Sequence, residues 1–276
     1  MLTFLFWNMG GLDRAQVCAR LARSHDVTVL LLAECSRPVS VLGALNPIGT
    51  PARYHLLPNP SDTRVHIFTR FVPAQWPEES GTRYYSLRRL QRSGVPELLL
   101  CSAHLPSQLI PTEREQDSLL RDLSALIADM ERRRGHSRTL IIGDFNVDPF
   151  QYGLYSTAGL HAVPTRRLAM QDTRIVAGST HRYFFNPMWR FFSDATPGPP
   201  GTFFWRQARP DCRFWYIFDQ VLLRPSLLQY FLNADLEILT GDGQVSFESA
   251  RDGRPDRTTG SDHFPILIRL NYPGVR

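Results

Sequence analysis

No lysine occurs in this sequence of 276 residues, no two cysteines stand in a CxxC spacing, and no charged segment precedes the first apolar run. Each absence excludes something. The four cysteines, at 18, 35, 101 and 212, match no zinc-ligand spacing and read as small core residues of a reducing compartment. The N-terminal MLTFLFWNMGG lacks the charged region and the cleavage site of a signal peptide. No apolar run reaches the roughly 20 residues that a spanning helix needs. The expectation is therefore a soluble, cytoplasmic protein. All 31 basic residues are arginine, against 26 acids, which leaves a formal net charge of +5. GC-rich coding accounts for the arginine-only usage. Its physical consequence is a planar guanidinium fork suited to binding phosphate in bidentate fashion. A mild basic excess is compatible with a polyanionic partner but does not identify one.

What is present is a chain of many short apolar runs and few helices. With 43% hydrophobic residues it can bury a sizeable core. Runs at 2–7, 27–33, 65–71, 83–90, 97–104, 139–142, 216–223, 236–239 and 265–270 read as strands, several apolar throughout as in strands buried on both faces. Only two segments show good helical spacing. Residues 15–23 are one. Residues 112–134 are the other, with Leu119, Leu120, Leu123, Leu126, Ile127 and Met130 as its stripe. Thr112 and Glu115 suit a capping box, and Arg132–Arg134 followed by Gly135 suit the stop. Residues 36–63, 153–210 and 240–260 read as loops, the second rich in proline, glycine and aromatics. With no internal repeat and too few helices for a regular βαβ array, the pattern predicts a single α/β domain over 1–276. Two packed sheets with helices outside fit it best.

Polar groups recur where the apolar runs stop: Asn8, Glu34, His104, Asp144 and Asn146. Strand ends are held rigidly, so such groups can converge on one cleft. Glu34, Asp144 and Asp262 supply the oxygen ligands that Mg²⁺ takes. His104 and His263 are candidates for proton transfer or orientation of an attacking water, the work for which imidazole is the usual side chain. Taken one at a time, Asn8, Glu34, His104, Asp144, Asn146 and Asp262 read equally as turn, cap or strand-end residues. Asp219 differs, because a carboxylate inside the apolar run YIFDQVLL must be paired if it is buried.

Together these motifs resemble the endonuclease/exonuclease/phosphatase superfamily, the group of deoxyribonuclease I and exonuclease III. The matching segments are Trp7-Asn8, Leu32-Ala33-Glu34, Ala103-His104-Leu105, Gly143-Asp144-Phe145-Asn146, Phe218-Asp219-Gln220 and Ser261-Asp262-His263, in the family's order. Phe185–Trp189 and Gly201-Thr202-Phe203 are similar to a pattern of bacterial members. The resemblance implies a four-layer α/β sandwich, two mixed β-sheets packed face to face with outer helices. It implies that Glu34, helped by Asn8 and Asp262, holds Mg²⁺ or Mn²⁺. Asp144 would position or deprotonate water, or join the metal shell, and Asn146 would hold the phosphate. His263, oriented by Asp219, would contact the phosphate or act as base. His104 matches the general acid of deoxyribonuclease I-like members. Abasic-site enzymes carry a tyrosine there, so the chain departs from them.

The activity this implies is hydrolysis of phosphodiesters in DNA or RNA. The alternative is a phosphatase or phosphodiesterase acting on a lipid headgroup or a small phosphorylated metabolite. Arginines mixed with aromatics at 182–192 and 203–216 favour nucleic acid if the rings are exposed to stack on bases. If they fill a core beneath the long loop, they say nothing of substrate.

Overall fold

The computed structural model describes residues 1–107, 113–193, 196–206 and 212–274. In chain order its strands are β1 Leu2–Asn8, β2 Val29–Ala33, β3 His55–Leu56, β4 Val65–Thr69, β5 Glu78–Gly81, β6 Tyr85–Arg92, β7 Val95–His104 and β8 Thr139–Asp144. There follow β9 Ala162–Val163, β10 Thr173–Val176, β11 Ser179–Arg182, β12 Phe184–Phe185, β13 Phe203–Phe204, β14 Trp215–Tyr216, β15 Asp219–Leu223, β16 Leu236–Ile238 and β17 Ile266–Leu270. The main helices are α1 Ala15–Ser24, α2 Pro38–Leu45 and α3 Glu113–Arg134.

The strands build a six-stranded sheet, ordered β16-β17-β1-β2-β4-β3, and a seven-stranded one, ordered β5-β6-β7-β8-β15-β12-β9. Both are mixed: β1–β2 and β7–β8 run parallel, while β1–β17 and β8–β15 run antiparallel. The two-residue period of a strand sorts the apolar runs into layers. Leu2, Phe4, Phe6, Val29 and Leu31 of the first sheet meet Leu98, Leu100, Leu140, Ile142 and Val221 of the second. The alternate positions Leu5, Trp7, Leu30 and Leu32 pack outward with Val17, Cys18 and Leu21 of α1 and Val41 of α2. On the other side Leu99, Cys101, Ile141 and Leu222 meet Leu120, Leu123, Ile127 and Met130 of α3. Helix, sheet, sheet, helix is the expected four-layer sandwich.

Three expectations are corrected. α2 lies inside the segment read as a loop. It is eight residues long and nearly all apolar or small, so its sequence shows no amphipathic stripe; Pro38 starts it. The 153–210 region holds short elements, notably the β10–β11 hairpin and β12, which joins the second sheet. The aromatics of 182–192 are largely core: Tyr183, Phe184, Phe185 and Phe191 are buried. The strand expected over 216–223 is broken, Ile217 and Phe218 separating β14 from β15. Thr112, the expected cap of α3, lies outside the described residues.

The FNPMW motif has a structural role. Asn186 accepts from the Met188 amide and donates from Nδ2 to Gln220 Oε1 at 2.8 Å, tying the loop to β15. His161, stacked on Tyr183 at 4.2 Å, is buried, and burial with nearby Arg174 lowers its pKa to about 4. A depressed folded-state pKa gives stability that is present above the ordinary 6.5 and lost as pH falls through about 4. Thermal unfolding of His161→Asn should therefore depend less steeply on pH between those values than that of the parent; equal slopes would dismiss the assignment.

Candidate active site

The layer rule places the polar groups. In β1 the core-facing positions are 2, 4 and 6, and the next is Asn8; in β8 they are 140 and 142, and the next is Asp144. In β7 the inward series through Leu98 and Leu100 ends at His104, and in β15 the series Leu223, Val221 ends at Asp219. Each carboxylate, amide or imidazole is thus the last rung of an inward-facing ladder. The ladders end together because β7, β8 and β15 are neighbours: Asp144 lies opposite both His104 and Asp219. Asn8 Nδ2 reaches across the sandwich and donates to Asp144 Oδ2 at 2.8 Å.

Glu34 arrives differently. It follows β2 in a left-handed conformation, φ +49°, which costs a non-glycine residue on the order of 1 kcal/mol. Its carboxylate, 46% exposed, stands 3.6 Å from His104 Nε2, and among the described residues no arginine reaches it. Asn146 is also left-handed, φ +51°, which asparagine tolerates. Its amide N–H donates to Asp144 Oδ1 and its Nδ2 to the Leu105 carbonyl, both at 2.8 Å. Gly143 is required by packing, since a Cβ there would stand 2.0 Å from the Ala103 carbonyl oxygen.

His263 supplies the second bridge between the sheets. Its Nδ1 donates to Asp219 Oδ2 at 2.8 Å, which gives the strand-buried Asp219 its partner. The Trp7 indole holds the His263 carbonyl at 2.9 Å, and Thr202 Oγ1 accepts the Asp219 amide. Burial opposes protonation of His263, but Asp219, with Asp144 and Asp262 behind it, outweighs burial and lifts the pKa to about 9. Asp144, Asp219 and His263 form a buried set with ligand atoms within 4.8 Å of one another. The imidazolium is itself the cation of that set.

The residues expected to hold a metal do not all meet so closely. Asp262 Oδ2 is held by Arg257 at 2.8 Å, and its Oδ1 accepts from Ser261 at 3.0 Å. Glu34 and Asp144 share His104 as neighbour. The chemistry of the donor set fits a hard divalent cation: Glu34 is a carboxylate that no arginine reaches among the described residues, Asp144 shares its neighbour His104, and Mg²⁺ needs only one or two protein carboxylates, water supplying the rest.

Two cavities flank these groups. One, of about 590 Å³, is lined by Glu34 and His104 together with Arg64, His66 and Arg83. The other, of about 500 Å³, is lined by Asp262 with Phe203, Trp205, Arg206, Arg254 and Arg257. The Gly10-Gly11 turn lies between them: Gly11 lines the first, and a Cβ on Gly10 would strike Asp262 at 2.6 Å. Arg64, His66, Arg83 and Arg257 were not singled out from sequence. Of these only Arg257, five residues before Asp262, stands near a motif; Arg64, His66 and Arg83 carry no such signal. A cavity of about 630 Å³ lies beside α3, where Ser137 and Arg224 line it near the far end of β8, and it holds none of the site residues.

The sequence profile described as the Endonuclease/Exonuclease/phosphatase family matches residues 5–263. No curated protein sequence matches. Among solved structures, the 3' phosphatase NExo from Neisseria bound to product DNA hairpin superposes with a TM-score of 0.58 at 14% identity, covering 99% of this chain and 100% of its own. An AP endonuclease from Archaeoglobus fulgidus gives 0.57 at 13%, covering 98% and 100%. A humanized D. rerio TDP2 gives 0.53 at 16%, covering 97% of each. At these identities the likeness is one of fold.

Gly143→Ala should lower stability by about 1–3 kcal/mol, the ordinary cost of overpacking, as β7 and β8 are forced apart beside Asp144. Urea unfolding reads it, and an unchanged midpoint would contradict the close approach.

Proposed function

The chain belongs to the endonuclease/exonuclease/phosphatase family, whose members are phosphoric ester hydrolases, and on that premise we propose that it is a nuclease. It hydrolyses phosphodiester bonds of DNA or RNA with the help of Mg²⁺ or Mn²⁺, as one catalytic domain spanning 1–276. The observation that carries the nucleic-acid reading is the setting of the catalytic groups. They lie between two arginine-bearing cavities that open on either side of the Gly10-Gly11 turn, rather than in one closed pocket. A polymer presents phosphates on both sides of the bond to be cut, and guanidinium groups on both sides would meet them. The 3' phosphatase NExo, with its product DNA hairpin, and the AP endonuclease share this fold, which supports the reading. The cysteines are free, which supports a cytoplasmic setting.

The geometry supports a role for each of these residues. Glu34, with oxygens of Asn8, Asp144 and Asp262, would hold the divalent ion. When bound, such an ion polarises a phosphoryl oxygen and offsets the charge that develops on it. His263, whose pKa the Asp219 carboxylate raises, is suited to donate a hydrogen bond to a phosphoryl oxygen, and Asp219 fixes its ring. Asp144, restrained through Asn8 and the Asn146 amide, has its carboxylate placed to orient the attacking water and take its proton. Asn146 uses one Nδ2 hydrogen on Leu105 and has the other for the phosphate. His104 stands within 4 Å of Glu34 and Asp144 with Nδ1 unpartnered. That position suits it to protonate the leaving oxygen.

Single- and double-stranded DNA, RNA and small phosphoesters, each assayed with Mg²⁺, Mn²⁺ or EDTA, test the assignment. Cleavage of at least one nucleic acid, abolished by EDTA, is expected; turnover of small phosphoesters alone would establish the lipid-headgroup or metabolite alternative instead. Asp144→Ala and His263→Ala should each lose roughly 10²–10⁴-fold in rate while keeping native circular dichroism. Full activity in either folded variant would sink the site assignment. Glu34→Ala should recover in part as Mg²⁺ is raised, and a flat titration would deny it a ligand role.

A further inference from the structure

Most of the aromatic residues between 182 and 192 are buried, but those of three other segments are not. Phe150 follows the Asp144–Asn146 turn and is 36% exposed, and Trp205 is 48% exposed. Phe203, Tyr216 and Phe218 are half-buried. Rings left at a surface forgo the burial that aromatic side chains ordinarily supply, and a run of them marks a place where something else covers them.

The rings form a connected series that starts at the catalytic histidine. Phe203 lies 4.6 Å from the His263 ring, Phe218 lies 5.3 Å from Phe203, and Tyr216 lies 4.9 Å from Phe218. Arg213 then links Tyr216 to Phe150: its guanidinium stands 5.8 Å from the first ring and 5.5 Å from the second. Its side chain is 53% exposed and only 3.6 Å from Asp148, so it has a fixed place and a free face. Beyond Phe150 come Phe192 at 5.6 Å and Trp189 at 6.3 Å. Trp205 branches from Phe203, its ring nearly parallel to it at 13° and 6.3 Å away.

The other flank has a different chemistry. There Arg64 and Arg83 line the cavity beside Glu34 and His104 with Asp62, Thr63 and His66; among the described residues no phenylalanine, tyrosine or tryptophan lines it, and the one ring near its guanidiniums is Tyr84, 5.6 Å from Arg64. Guanidinium groups that meet phosphates thus stand on both sides of the scissile bond, but only the His263 side joins them to a connected series of rings. Aromatic and guanidinium faces bind bases by stacking. In a duplex each base already stacks on its neighbours, so its face is not available without unpairing.

Resting on the nuclease reading above, we propose that the series Phe203–Tyr216–Arg213–Phe150 is a stacking surface for unpaired bases, and that the strand leaving the centre past His263 is single-stranded. The substrate class is then single-stranded DNA or RNA, or a duplex with an unpaired tail on that side. Phe150 and Arg213 are the outer members of the series and decide how many bases it holds.

Binding measured in EDTA separates this from hydrolysis. Fluorescence anisotropy would compare a labelled oligothymidylate with a blunt hairpin duplex of equal phosphate number. The parent protein should bind the single strand roughly tenfold or more tightly. Phe150→Leu and Arg213→Ala should each weaken single-strand binding about fivefold or more, and Phe150→Trp should retain it. Unfolding midpoints check that each variant is folded; should Phe150→Leu fail to fold, the surface-exposed Arg213→Ala and Phe150→Trp still decide. Equal affinity for both oligonucleotides, or folded Phe150→Leu and Arg213→Ala proteins that bind as the parent does, would overturn the stacking surface while leaving the nuclease reading intact. Failure to cleave any polymer in the substrate panel would overturn the nuclease reading, and the inference with it.

Discussion

Two hydrogen bonds cross from sheet to sheet at one edge of the sandwich, Asn8 to Asp144 and His263 to Asp219. Everything chemical in the molecule depends on them. The inward ladders of β1, β8 and β15 are apolar until their last rung, and burying a polar rung without a partner would be costly. Pairing Asn8 with Asp144 and Asp219 with His263 offsets that cost and fixes the distance between the sheets at the candidate site. The Trp7 indole on the His263 backbone and the Thr202 hydroxyl on the Asp219 amide brace the same edge. The site is therefore the place where the core's packing rule gives way to hydrogen bonding.

That continuity explains what could be read in advance. Asn8, Asp144 and His104 end apolar runs, and Asp219 sits within one, so their positions along the chain were informative without any knowledge of pairing. The four layers were legible too, because continuous apolar strands demand cover on both faces and only two amphipathic segments were visible to provide it. α2 was not legible. It packs against α1 through a nearly uniform apolar surface, so no periodicity betrays it. The arginines of the flanking cavities were equally hidden: Arg64 and Arg83 lie on chain segments far from Glu34 in sequence, and only the pairing of β2 with β4 brings that neighbourhood together. For the aromatics the sequence left two readings open, and both apply: most of the rings at 182–192 fill the core, while Phe203 and Trp205 line a cavity.

Backbone conformation adds a second constraint on the centre. Glu34 and Asn146 both adopt left-handed conformations on opposite sheets, and each turns a side chain that a continuing strand would have carried away. The strain is local and is held by neighbours: the Gly11 amide donates to the Glu34 carbonyl, and Asn146 is tied to Asp144 and Leu105. A rigid sandwich can thus offer groups that its own strand geometry would not aim at the cleft.

The arginine-only composition has a consequence at these cavities. A lysine-lined trough loses charge when its amines shed protons or are acylated. Guanidinium stays cationic throughout the physiological range. The guanidinium contribution along both flanks is consequently one that dissolved salt weakens but that acidity and amine-directed modification leave unchanged.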